Sequence, residues 1–186
     1  MSTTARLSLG EYDRMIAGGV FETDRDRRLE LIRGEIREMV PPNPPHEDII
    51  DRLASWSFRS VPQEKVRVRV QNSIGLPELE SAPQPDLAWV AARSYARCRP
   101  TAGDVLLVIE VAHSSLSYDT GEKADLYAAA LIADYWVVNL PEQCIEVRRD
   151  PHAGRYRSLQ TFCDTDEVRP LAMPSLVLHP ATLWQE

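Results

Sequence analysis

Three ionisable residues lie where the sequence otherwise predicts buried apolar structure. Glu110 stands near the end of Val105–Val111, an aliphatic run rich in β-branched residues, as expected of a central strand covered on both faces. Asp86 opens a second apolar strand after Pro85, and Lys123 falls on the apolar face of a helix. Burying a carboxylate is costly unless a metal ion, a lysine or a raised pKa compensates. The pattern therefore suggests a metal-dependent hydrolytic site.

The expected order of strands and helices explains how the three groups could meet. A right-handed crossover brings the beginning of a helix to the carboxyl end of the preceding strand, so Lys123 can reach Glu110. If the strand that follows Asp86 is the neighbour of Val105–Val111, Asp86 converges on the same place. Two adjacent carboxylates repel unless a cation or a shared proton lies between them. A buried structural ion pair, or a lysine whose ammonium reaches water, is the alternative for Glu110 and Lys123.

Carboxylates in this arrangement suit a hard divalent cation. Mg²⁺, or Mn²⁺ in its place, takes oxygen ligands, commonly one or two carboxylates plus waters, and the Val111 carbonyl could add another. Such an ion polarises a phosphoryl oxygen and generates hydroxide, while Lys123 would orient the attacking water or help to deprotonate it. We therefore expect Asp86, Glu110 and Val111 to bind the metal, and the reaction to be hydrolysis of a phosphodiester.

Composition and charge set limits on this interpretation. The 186 residues fit one domain, 1–186, and no apolar stretch approaches the roughly 18 residues that span a bilayer. Residues 1–11 lack the apolar core of a signal peptide, so we expect a cytoplasmic protein without a membrane partner. The net charge of −7 argues against broad attraction to nucleic acid, although a basic stripe on an acidic protein can suffice.

The three cysteines are Cys98, Cys144 and Cys163, which are widely spaced and accompanied by no Cys-x-x-Cys or Cys/His cluster. We expect neither a zinc site nor a disulfide framework from an odd number of cysteines at these positions. That expectation fits a reducing compartment.

Hydrophobic periodicity and turn signals predict an α/β protein with a mixed sheet. Strand, helix and strand follow one another around Val105–Leu140, which implies one parallel crossover, and the hairpins imply antiparallel pairs. Asp119–Glu122 resembles a capping box, so a helix should run from Glu122 to about Ile132. The other expected elements are helices over Leu7–Val20 and from His46, a charged loop over Glu22–Arg28, a hairpin over Leu29–Val40 that turns at Arg33-Gly34, a proline break over Pro41–Pro45, strands over Lys65–Ile74, Leu87–Val90, Val105–Val111, Asp134–Leu140 and Gln143–Arg149, and a last hairpin from Cys144–Arg149 to Arg155–Phe162.

Several short pieces of the chain, taken in order, resemble a known family. Pro85-Asp86, then Glu110-Val111, then a lysine, is similar to the PD-(D/E)XK nuclease core, and more closely to the Uma-two restriction-endonuclease family. Each piece alone is weak, but together their order and spacing over Leu29 to Arg149 are fairly specific. The matching pieces are Glu30-Leu-Ile-Arg-Gly34-Glu35, Pro45-His46, Pro85-Asp86-Leu87-Ala88, Glu110-Val111, Ser115 with Tyr118-Asp119, Lys123, Tyr127 and Asp134-Tyr-Trp-Val-Val-Asn-Leu140.

The resemblance implies a restriction-endonuclease-like fold, in which helices flank a mixed sheet. Asp86 and Glu110 would be the metal ligands, and Lys123 would be the catalytic lysine. The PD-(D/E)XK pattern places the lysine two residues after the glutamate, where this chain has Ala112. In families of this type the lysine can move to the following helix, and Lys123 fits that position.

The resemblance also concerns residues outside this set. An acidic residue of the N-terminal hairpin would complete the site, and Glu35 and Glu30 are the candidates; on a regular hairpin we expect them to face opposite sides. His113 stands where relatives often carry an acid or a serine, and it could contact substrate or metal, although a surface histidine is the commoner case. His46 could orient a carboxylate or hydrogen-bond the hairpin, with a structural role favoured. Leu131 occupies a position where glycine is common.

Two functions fit the sequence. The first is a Mg²⁺- or Mn²⁺-dependent endonuclease that hydrolyses DNA, often as a homodimer in nucleases of this class because cutting two strands needs two sites. The second is a catalytically inactive nuclease-fold protein that acts as a binding or regulatory module, which the acidic net charge and the displaced lysine favour. An enzyme acting on RNA or another phosphoester would have the same sequence features. Metal binding by the native protein separates the first two.

Overall fold

The computed structural model describes residues 5–22 and 27–185, so most of the charged loop expected over Glu22–Arg28 lies outside the described residues. The helices are α1 (Leu9–Ala17), α2 (Pro44–Ser60), α3 (Leu116–Tyr118), α4 (Ala124–Ala129) and α5 (Ala181–Trp184), with a π-helical turn over Asp119–Lys123 and 3₁₀ turns over Pro77–Leu79 and Ala102–Asp104. The strands are β1 (Leu29–Ile32), β2 (Glu35–Glu38), β3 (Val66–Val70), β4 (Leu87–Ala91), β5 (Val105–Ala112), β6 (Asp134–Asn139), β7 (Cys144–His152) and β8 (Arg155–Cys163). None of the helices described here is long and apolar enough to cross a membrane.

The sheet is mixed, as the sequence predicts. Strands β3 to β8 form one six-stranded sheet in chain order, and β1 pairs with β2 in a separate hairpin. Every neighbouring pair in the large sheet is antiparallel except β5 and β6, which are parallel. The connection between these two strands contains α3, the π turn and α4, because a parallel pair requires a crossover that returns to the same edge. The single predicted crossover is therefore confirmed.

Strand β5 is covered on both faces. Leu107, Ile109 and Val111 pack into a core that includes the buried side of α2, while Val108 and Ala112 pack into a second core that includes α4. Successive side chains of a strand point to opposite faces, so Glu110 shares its face with Val108 and Ala112. This alternation places a carboxylate under the helix that carries Lys123.

Two N-terminal signals in the sequence have clear structural counterparts. Ser8 caps α1, and its capping box with Glu11 is complete. Arg33 and Gly34 have φ values of 49° and 79°, as required at the two-residue turn between β1 and β2. The prediction for the proline run was wrong at its end, because Pro44 occupies the first position of α2. Proline suits that position, since the first amide of a helix has no intrahelical acceptor.

The segment that precedes Lys123 differs from the predicted capping box. The helical segment begins with α3, and the amide of Asp119 already donates to the Ser115 carbonyl at 2.9 Å, so the Asp119 side chain does not cap a helix end. Asp119 instead lies in the π turn, with its side chain buried. A π turn inside a helix is rare and occurs frequently at functional sites.

The cysteine prediction was wrong for two of the three residues. Cys144 and Cys163 are directly opposite each other in the β7–β8 register and form a disulfide, whereas Cys98 is free and exposed. The pairing follows from the hairpin, because a turn at Ala153-Gly154 makes residues equally distant from it into neighbours. Counting cysteines along the chain does not show this, and the count therefore does not argue for a reducing compartment.

The end of α4 offers a test of local backbone strain. Leu131 has a φ of 61° and is 69% exposed, while the Ile132 amide donates to the Tyr127 carbonyl across it at 3.0 Å. Because a left-handed conformation is unfavourable for residues with a Cβ, Leu131→Gly is expected to raise the free energy of unfolding by about 1 kcal/mol. Urea denaturation measures the change. Leu159→Gly, at an exposed leucine of strand β8, is the control and should destabilise; a loss of stability in both variants would contradict the interpretation.

Candidate active site

The two predicted metal-binding carboxylates lie side by side. Strands β4 and β5 are antiparallel with Leu87 opposite Ile109, so Asp86, one residue before β4, lies beside Glu110. Each carboxylate accepts a hydrogen bond from the other strand: the Val111 amide donates to Asp86 Oδ2 at 2.9 Å, and the Asp86 amide donates to Glu110 Oε2 at 3.3 Å. These backbone donors fix both carboxylates at one end of the strand pair.

Lys123 completes the predicted set. Its Nζ atom lies 2.9 Å from Glu110 Oε1 and 3.6 Å from Glu30 Oε2, and it is 4.0 Å from Asp119 Oδ1. Tyr127 donates its hydroxyl to the same Oε1 atom of Glu110 at 2.8 Å. The side chains of Asp86, Glu110 and Lys123 are all buried. The structure thus brings together the three residues that the sequence places far apart.

The acid contributed by the N-terminal hairpin is Glu30. Its carboxylate is buried, and it accepts hydrogen bonds from the Tyr118 hydroxyl at 3.1 Å and the Gln84 amide at 3.2 Å. Glu35 does not join this cluster; it is 36% exposed and pairs with Arg6 at 3.3 Å and Arg37 at 2.8 Å.

The expectation that Glu30 and Glu35 face opposite sides was also wrong. Glu30 is opposite Arg37 and Ile32 is opposite Glu35, so all four side chains share one face of the hairpin. The difference is one of position along the strands: Glu35 lies at the turn, beside Arg37, whereas Glu30 lies over the sheet.

The two candidate histidines occupy different environments. His46, in the first turn of α2, places Nε2 3.3 Å from Asp86 Oδ2, and its Nδ1 atom is buried without a partner among the described residues. It therefore contacts the site directly, as expected of a residue that orients a carboxylate. His113 is exposed and lies at the border of the site.

These groups open onto one cleft of about 390 Å³. Every residue expected at the site lines it except Glu35. The lining residues are Arg28, Glu30, Arg37, Glu38, Met39, Val40, Pro41, Pro42, Asn43, His46, Asp86, Glu110, Val111, His113, Ser114, Ser115, Tyr118, Asp119 and Lys123.

Negative charge exceeds positive charge at the bottom of the cleft. Glu30, Asp86, Glu110 and Asp119 are buried around the single ammonium of Lys123. Burial raises the pKa of Glu110 to about 8, against the opposing effect of the Lys123 ammonium. Burial would lower the pKa of Lys123, but the surrounding carboxylates raise it above its usual value. An added cation would be electrostatically favoured here.

Asp86 differs from Glu110 because it is paired with a histidine. Although burial alone would raise the pKa of Asp86, the hydrogen bond and charge of His46 and the Val111 amide hold it below the usual value. In return, Asp86 raises the pKa of His46 despite the burial of the imidazole, and the Val111 carbonyl acts in the same direction. Asp86 is therefore ionised, and Val111 lines the same cleft.

The donor set fits a hard cation that keeps part of its water shell. Among residues 5–22 and 27–185, no group of three or more His, Cys, Asp or Glu side chains is placed to hold a metal ion. Mg²⁺ does not require such a group, because it usually binds through one or two carboxylates and waters. Asp86, Glu110 and the Val111 carbonyl offer oxygen atoms of the kind that such an ion accepts.

Comparison with known proteins identifies the family of the chain. Residues 9–181 match the Uma2 family, described as "Putative restriction endonuclease". The chain belongs to this family. Among solved structures, a "putative nuclease belonging to DUF820" from Anabaena variabilis superposes with a TM-score of 0.75 at 19% identity, over 96% of this chain and 97% of that one. The Uma2 chain therefore has a nuclease-like mixed fold; a search of curated proteins gave no match.

Three further residues that contact the candidate site were not assigned roles from the sequence. Asp119, Tyr118 and Tyr127 contact Lys123, Glu30 and Glu110, respectively. The spacing of Asp119, Lys123 and Tyr127 at intervals of four already placed them on one helical face. That periodicity could have indicated that Asp119 and Tyr127 lie near Lys123. For Tyr118, the only sequence signal was its occurrence in one of the segments that resemble the family.

Proposed function

We propose that this protein is a Mg²⁺- or Mn²⁺-dependent endonuclease that hydrolyses phosphodiester bonds of DNA. One observation carries the proposal: Asp86, Glu110 and Lys123 converge in a single cleft. Lys123 Nζ lies 2.9 Å from Glu110, and each carboxylate accepts a hydrogen bond from a backbone amide of the neighbouring segment. The family assignment supports a nuclease.

Asp86, Glu110 and the Val111 carbonyl would hold the metal. When bound, the ion polarises a phosphoryl oxygen and lowers the pKa of water so that hydroxide is available. The chain's own contribution is to fix both carboxylates through backbone amides and, through His46, to keep Asp86 ionised. Binding a cation would also lower the pKa of Glu110 and so favour its ionised form.

Lys123 is suited to orienting water rather than to removing its proton. Its raised pKa keeps the Nζ atom a charged ammonium at neutral pH, and a protonated amine donates hydrogen bonds but accepts none. Glu110 and Glu30 hold this ammonium in place at 2.9 and 3.6 Å. A charge fixed in this way stabilises negative charge that develops on the phosphate or on the attacking oxygen.

The two N-terminal glutamates provide a matched pair of variants. Glu30→Gln is expected to lower the cleavage rate by about 10- to 100-fold, because it removes one of the charges that hold Lys123. Loss of a residue that positions a metal site without binding the metal has an effect of this size. Glu35→Gln should change the rate by less than about twofold, since its ion pairs are at the surface. Initial rates of DNA cleavage measure both, and a larger effect of Glu35→Gln would contradict the assignment.

Cleavage of supercoiled plasmid DNA tests the proposed function. Nicked and linear products are expected with Mg²⁺ or Mn²⁺ and are not expected with EDTA or with Asp86→Asn. The catalytically inactive binding or regulatory module predicts no products under any of these conditions. If linear product appears directly, two sites act together, and light scattering should then show the proposed homodimer.

A further inference from the structure

One cationic side chain of the cleft, that of Arg28, has a buried donor atom without an acceptor among the described residues. Arg28 lies immediately before β1, where its carbonyl accepts from the Met39 amide at 2.8 Å, so its backbone is fixed at the border of the cleft. Its Nη2 atom is buried and makes no hydrogen bond within the described part of the chain. A buried donor without an acceptor is unfavourable, and a ligand atom in the cleft would satisfy it.

Neighbouring arginines are committed to carboxylates. Arg27 pairs with Glu38 at 2.7 Å, and Arg37 pairs with Glu35 and with Glu122 at 2.8 and 3.1 Å. Arg28 makes no such pair in residues 5–22 and 27–185, although the same cleft contains four buried carboxylates. Its positive charge is thus unmatched within the described residues.

Arg28 lies at the same cleft as the proposed metal ligands. Its side chain, His46 and Asp86 all line this cleft. An anion bound next to Asp86 would be within the field of Arg28.

We infer that Arg28 binds two non-bridging oxygens of a substrate phosphate at the proposed metal-binding cleft. A planar guanidinium offers paired N–H donors that match two phosphate oxygens, which lysine does not provide. The protein has an excess of acidic residues, so a cation kept free of carboxylates is the group that would select an anionic ligand. This inference rests on the proposed nuclease function and assigns a phosphate-binding residue to the same site.

Arg28→Met tests the inference, because methionine keeps an unbranched apolar stem and removes the charge. The probe is a fluorescein-labelled DNA duplex, with Ca²⁺ in place of Mg²⁺ and a gel to verify that the probe stays intact. Fluorescence anisotropy should show binding weakened by about 10- to 100-fold. The slope of log Kd against log salt should decrease by about 1, since one phosphate contact is lost.

Two further variants separate charge from geometry. Arg28→Lys should retain most of the salt dependence but bind more weakly than the native protein, because a lysine cannot form the paired contact. Arg27→Met, next to it in the chain and paired with Glu38, should bind DNA within about twofold of the native protein, as for an exposed ion pair.

Three results would overturn the inference. The first is a native affinity and an unchanged salt slope in Arg28→Met. The second is a lower thermal midpoint of Arg28→Met without DNA, since that would indicate a structural role for Arg28. Loss of affinity in Arg27→Met equal to that in Arg28→Met would indicate a nonspecific charge effect. If the native protein cuts plasmid DNA but Arg28→Met binds normally, only this inference fails; if the native protein neither binds nor cuts DNA, the proposed function fails with it.

Discussion

Asp86→Asn is expected to reduce Mg²⁺-dependent DNA cleavage by roughly 1,000-fold, since a catalytic metal contributes several kcal/mol and each 1.36 kcal/mol is tenfold in rate. The substitution keeps the shape of the side chain and removes the charge that faces the proposed ion. It also leaves His46 without its carboxylate partner, which lies 3.3 Å away in the native protein. Initial rates on plasmid DNA at saturating Mg²⁺ measure the effect.

The same variant should lose the stabilisation that the metal provides. A ligand that binds only the native state at about 100 times its dissociation constant stabilises it by about 2.7 kcal/mol. Thermal unfolding with Mg²⁺ and with EDTA should therefore differ for the native protein and coincide for Asp86→Asn. Asp48→Asn, at an exposed ion pair of α2, is the control and should behave as the native protein does. A full metal-induced shift in Asp86→Asn would exclude Asp86 as a ligand.

Lys123→Met should destabilise the metal-free protein by about 3–5 kcal/mol, as for buried ion pairs from which one partner is removed. Lys123 is buried in contact with Glu110, Glu30 and Asp119, so its loss leaves these carboxylates without a counter-charge. Mg²⁺ should restore part of the lost stability, because a divalent cation replaces the missing positive charge, but cleavage should not recover. Urea denaturation in EDTA and in Mg²⁺ measures both effects.

Lys65 is the natural control for this substitution, because it is the other lysine of the chain and is exposed. Lys65→Met should change the free energy of unfolding by no more than about 0.5 kcal/mol. If Lys123→Met in EDTA is as stable as Lys65→Met, the carboxylates do not depend on Lys123 for their charge balance.

The sequence predicted the centre of the site because three strong local signals agreed there. Glu110 lies within a β-branched strand, Asp86 immediately precedes another strand, and Lys123 falls on the apolar face of a helix. Each of these signals predicted where the side chain lies relative to the sheet. The parallel crossover then required Glu110 and Lys123 to meet, and the β4–β5 register placed Asp86 beside them. Hydrophobic periodicity and the right-handedness of β–α–β crossovers were sufficient to predict this part of the fold.

The parts that were wrong depend on register or on interactions that periodicity does not encode. Glu30 and Glu35 share a face because of their hairpin pairing, so only the distance along the strand decides which one reaches Lys123. Asp119 lies in a π turn, which has no sequence signature comparable to a helix cap. The Cys144–Cys163 disulfide follows from the β7–β8 register.

Locating a bound Mn²⁺ ion by its anomalous X-ray scattering tests the central claim most directly. Crystals of the native protein soaked in Mn²⁺ are expected to show an ion between the carboxylates of Asp86 and Glu110, with the Val111 carbonyl as a further ligand and Lys123 Nζ still within hydrogen-bond distance of Glu110. A cleft without manganese, with the ammonium of Lys123 alone neutralising Glu110, would contradict the account.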